Sequence, residues 1–88
     1  MAGAYRQLLR ERLERLAEEQ GKLGQSLRLM AAELKNMRAV AREISNRQER
    51  RNQYQIIKGK QAEYDAELEA LQAINREIED IIAELGSR

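Results

Sequence analysis

The chain has 88 residues, 35% of them charged, with 16 basic against 15 acidic side chains and a formal net charge of +1. It contains no His, Cys, Pro, Trp or Phe, and its only aromatics are three Tyr. This composition excludes a disulfide framework and most metal, nucleophile and acid–base arrangements, and it offers little bulk for an ordinary compact core.

Ala, Glu, Leu, Arg and Gln dominate, as they do in long helices and coiled coils. Without Pro the strongest helix breaker is missing. The longest apolar runs, as at Ala39-Val40-Ala41, fall far short of the roughly 20 residues that span a bilayer. The first ten residues lack the apolar run and cleavage site of a secretory leader. A single cytoplasmic helical domain over residues 1–88, with no membrane partner, is the expectation.

In the first arm, apolar residues step by four and three from Leu9 through Leu13, Leu16, Leu23, Leu27, Met30, Leu34, Met37 and Ala41 to Ile44, with Gln20 the one polar member. This seven-residue repeat is a seam for one partner helix. Gly21 and Gly24 fall inside it, and each costs about 1 kcal/mol against Ala within a helix. The repeat passes both without losing phase, which predicts a continuous helix, weakened or kinked there, rather than a loop. The functional counterpart would be a hinge or a close approach of another backbone.

No apolar residue occurs from Ser45 to Gln53, and the repeat stops at Ile44. Ser45 is followed three residues on by Gln48, and Asn46 by Glu49. Either pair fits a capping box, in which two side chains satisfy free backbone N–H groups at a helix start. A stop in phase and a start signal coincide, so the chain is expected to reverse at about 45–46.

The return arm offers Tyr54, Ile57, Gln61, Tyr64, Leu68, Leu71, Asn75, Ile78, Ile82 and Leu85 as its seam. Gly86 is placed to cap the helix in the left-handed region. The predicted fold is therefore all-α: a coiled-coil-like antiparallel hairpin with helices at about 4–44 and 47–85. Folding back at residues 45–46 sets Leu9 against Ile82, Leu13 against Ile78 and Leu34 against Ile57. Gln20, Gln61 and Asn75 then serve as register devices. Arg6, Arg10 and Arg12 start the first arm, while Glu77, Asp80 and Glu84 end the second. Each set opposes its own helix dipole, and side by side they neutralise one another. This layout is similar in topology to the small plasmid copy-control RNA-binding hairpin dimers, a resemblance of architecture and not of residues or length.

Two surfaces stand out. At the open end the apolar stripe is too wide for one seam, so Tyr5, Leu8, Ile74 and Ile81 are expected to meet a partner, with Leu8, Ile74 and Ile81 facing outward. At the turn end, residues 35–60 carry eight basic and two acidic side chains, whereas residues 61–88 carry two basic and eight acidic. Arg42, Arg47, Arg50, Arg51, Lys58 and Lys60 are thus the candidates for contact with nucleic acid or an acidic partner. An isolated hairpin is marginal, so self-association into a helical bundle, as an antiparallel homodimer, is expected; another helical protein could also serve as partner. The expected role is a non-enzymatic scaffold, adaptor or small component of a larger particle, without cofactor or metal. Nucleic-acid binding by the turn end is the alternative.

Overall fold

The computed structural model describes residues 2–87. Two helices, α1 (Ala2–Glu43) and α2 (Arg47–Gly86), pack side by side as an extended antiparallel hairpin of 68 × 15 × 14 Å. Among the described residues there is no strand. Helix α1 passes Gly21 and Gly24 without a break.

The reversal needs only Ile44, Ser45 and Asn46. The Ile44 N–H closes α1 on the Ala41 carbonyl at 3.2 Å, a tightened last turn. Of the two candidate caps, Asn46 is used. It takes an extended backbone, its Oδ1 accepts from the Glu49 N–H at 3.0 Å, and its carbonyl accepts from the Arg50 N–H at 2.9 Å. One free amide and the first rung of α2 are thereby satisfied at the residue where the chain turns.

The far end differs from expectation. Gly86 is the last helical residue of α2, and no described residue has positive φ. Ser87 closes the helix instead. Its N–H and its hydroxyl both donate to the Glu84 carbonyl, at 3.4 and 2.8 Å. The hydroxyl satisfies an end carbonyl, so no left-handed glycine is required.

The α1 seam lies where the repeat placed it. Leu9, Leu16, Leu27, Leu34 and Ala41 are buried, with Leu13, Leu23, Met30, Met37 and Ile44 half-buried between them. The α2 seam is rotated by one row. Ile57, Tyr64, Leu71, Ile78 and Leu85 belong to it as expected, but the alternate places go to Gln53, Lys60, Glu67, Ile74 and Ile81. Ile81 is 4% exposed and Ile82 54%. So Leu9 packs with Ile81, not Ile82, and Tyr54 lies exposed on the flank.

The rotation has a physical reason. It packs Ile74 against the open-end core and leaves Asn75, equally half-buried, at the edge where the Gln20 amide satisfies it. The cost falls in the other half, where Lys60 and Glu67 become half-buried. Both are paired: Lys60 with Glu33 at 3.2 Å, and Glu67 accepting from the Ser26 hydroxyl at 2.8 Å.

Two apolar clusters result. At the open end Leu9, Leu16 and Ile81 gather Leu13, Ile74, Ile78 and Leu85. Near the turn Leu34, Ala41 and Ile57 gather Met37 and Tyr64. Between them Gln20 donates to Asn75 across the helices at 2.6 Å. Gln20 therefore meets an amide, and Gln61 accepts from Arg38 at 2.5 Å. A polar pair that matches its own kind favours this register over a slide of the apolar stripes.

Candidate interaction surfaces

The hairpin has two flanks, one on either side of the seam. Bonds across the helices identify them. On the first flank Tyr5 donates to Glu84, Arg12 pairs with Glu77, Ser26 bonds Glu67 and Glu33 pairs with Lys60. On the second, Gln20 bonds Asn75 and Arg38 bonds Gln61. The neutralisation expected at the open end is thus made by Arg12 with Glu77. Arg6 instead donates to the Leu85 carbonyl at 2.8 Å, satisfying one of the last acceptors of α2.

Of the four open-end residues expected to face a partner, the structure exposes two. Leu8 is 62% exposed and Tyr5 is also open to solvent. Ile81 is buried and Ile74 packs half-buried beside it, so both belong to the hairpin's own core. Their expected outward orientation is corrected by the rotation of α2. Leu8 and Tyr5 line a shallow groove with Leu9 and Ile81 at its floor and Arg12, Glu77, Asp80 and Glu84 around it. The hydrogen bond to the Glu84 carboxylate raises the Tyr5 hydroxyl above its ordinary pKa. Slight desolvation and the negative charge of Glu84 act the same way, and Arg12 acts against them.

Four further exposed apolar side chains were not singled out by the repeat as surface residues: Leu29, Val40, Ile56 and Ile82. Leu29, Val40 and Ile56 lie off the four–three stripe, which is the signal that could have found them. Val40 continues the seven-residue row of Tyr5, Arg12, Ser26 and Glu33. Ile56 continues that of Glu77 and Glu84. Both therefore sit on the first flank, near the turn.

At the turn end Arg42, Arg47, Arg51 and Lys58 are exposed, and Arg50 is half-buried. Lys60, grouped with them in the sequence, is engaged by Glu33. Arg42 lies in the last turn of α1, where a cation suits the helix dipole. Arg47, Arg50 and Arg51 open α2, where the dipole disfavours them. Among the described residues none of these five cations makes an ion pair.

No described group of His, Cys, Asp and Glu is arranged to hold a metal ion. No described helix is long and apolar enough to cross a membrane. Comparison with known proteins finds no matching family model, no matching curated protein and no matching solved structure.

Proposed function

We propose that this chain is a non-enzymatic interaction module, a helical hairpin that works by packing its flanks against other helices, in the first instance those of a second copy. One observation carries the reading. Among the described residues seven large apolar side chains, Tyr5, Leu8, Leu29, Val40, Tyr54, Ile56 and Ile82, are exposed, against only seven apolar residues that are buried. A two-helix seam has no place for them, and burying the roughly half of each that is still exposed would stabilise an assembly by about 1–1.5 kcal/mol before the costs of association. An antiparallel homodimer, a bundle of four helices, covers those of one flank and leaves those of the other for a further helical partner. Light scattering on the purified chain tests this. A molar mass of twice 10.2 kDa or more is expected; a strictly monomeric chain at high micromolar concentration would overturn self-association.

The second reading is nucleic-acid binding at the turn. It is favoured by the five cations there that no described carboxylate neutralises, three of them against the dipole of α2. An RNA binder of this kind loses affinity steeply between low and moderate salt, and Arg47→Glu, Arg50→Glu and Arg51→Glu together abolish binding. An assembly module keeps its molar mass through the same changes. Fluorescence anisotropy with a labelled RNA at two salt concentrations separates the two.

A further inference from the structure

The five of the ten expected seam positions that the rotation of α2 displaces form a row: Tyr54, Gln61, Leu68, Asn75 and Ile82. Tyr54 and Ile82 are exposed, while Gln61, Leu68 and Asn75 are half-buried on the second flank. The row reads the same in both directions. Leu68 is its centre, Gln61 and Asn75 stand seven residues either side, and Tyr54 and Ile82 fourteen.

We propose that this row is the contact between two copies of the chain, α2 lying antiparallel on α2 about a two-fold axis at Leu68. The inference rests on the self-association reading above and adds the face and the direction. Antiparallel pairing about Leu68 sets Tyr54 of one copy on Ile82 of the other, Gln61 on Asn75, and Leu68 on Leu68. Apolar groups meet apolar groups and amides meet amides, at layers ~10 Å apart along the helix. A parallel pairing would stack each residue on itself and put like-charged turns together.

Charge selects the same occupant. Lys58 and Glu79 are exposed beside this row, ten residues before Leu68 and eleven after it. The two-fold axis brings each lysine against the glutamate of the other copy, twice per dimer. On a larger scale it lays the start of α2, with five basic and one acidic residue over 47–60, across its end, with one basic and four acidic over 76–87. Such overlap steers association and disfavours the wrong orientation. The first flank could also pair with itself, Tyr5 on Val40 and Arg12 on Glu33, but Arg12 and Glu33 are already engaged within the hairpin by Glu77 and Lys60. Its groove is rimmed by Arg12, Glu77, Asp80 and Glu84, three acids to one base. At its turn end Val40 stands one helical turn from Glu43 and Asn36, and Ile56 one turn from Asn52 and Lys60, whose charge Glu33 already engages.

The chain has no Cys, so introduced thiols report unambiguously. In the full chain, Leu68→Cys treated with a short bismaleimide is expected to give a crosslinked dimer. Tyr54→Cys alone and Ile82→Cys alone should not, whereas an equal mixture of the two should. Lys58→Cys mixed with Glu79→Cys gives the same result from two exposed positions that cannot disturb folding through the core. Lys58→Glu should weaken the dimer several-fold, and adding Glu79→Lys should restore it. A dimeric mass without the mixed crosslinks, or with Tyr54→Cys crosslinking to itself, overturns this face and direction and leaves self-association standing. A monomeric unmodified chain overturns both.

Discussion

Gly21 and Gly24 sit in the middle of α1 with open space where a Cβ would be; nothing in the hairpin approaches within 4 Å of that position. Neither has positive φ. In the hairpin alone they are simply poor helix formers. Replacing each by Ala should stabilise the fold by about 1 kcal/mol, read as a higher denaturation midpoint. A lower midpoint would mean that another backbone uses the space. At Tyr5 the hydroxyl pKa is raised by its bond to Glu84. Folding therefore holds that proton more tightly than the unfolded chain does. The contribution is present below the unfolded value of about 10 and is lost as pH climbs through the raised folded value. Tyr5→Phe should flatten the decline in melting temperature at alkaline pH and leave the neutral range almost unchanged.

The neighbouring isoleucines 81 and 82 display what an element decides and a residue type does not. One is enclosed by Leu9 and Leu16, the other faces solvent. Ile81→Ala should cost about 2–5 kcal/mol. Ile82→Ala should cost under about 0.5 kcal/mol of hairpin stability. Urea titration of the two variants checks the difference, and equal losses would contradict the rotated seam. This rotation was the part of the fold that the repeat left illegible. Helix α2 carries isoleucine at both 56 and 57 and at both 81 and 82, so four adjacent rows have apolar members. A four–three step fits either of two rows flanking Ile57, Tyr64, Leu71, Ile78 and Leu85. The choice depends on where Asn75, Lys60 and Glu67 find partners, and those partners lie on the other helix. By contrast, the helices, the turn and the Asn46 cap were legible because their signals are local: a phase break, a polar stretch and a residue that accepts from the amide three positions on. The open-end surface was half legible for the same reason as the seam. Leu8 depends only on α1, whereas Ile74 and Ile81 depend on how α2 is turned.

For the whole molecule, spin labels at exposed Gln7 and Ala83 of one chain, diluted with unlabelled protein, should lie within a few nanometres. A continuous rod would separate them by roughly 110 Å. The uneven charge was fully legible, since it needs only counting. What each charge meets was not, because Lys60 and Glu33 become neighbours only through the reversal at Ile44–Asn46. That turn also orders events in time. Leu34 and Ile57 are 23 residues apart along the chain, but Leu9 and Ile81 are 72, so the cluster beside the bend closes the smaller loop and loses less entropy in doing so. The hairpin should fasten like a zip whose slider starts at the bend, the amide pair at Gln20 and Asn75 being a tooth midway. Ile57→Val should slow refolding in stopped flow, while Ile81→Val should chiefly hasten unfolding. The two chain ends are thus the last to come together and the first to part.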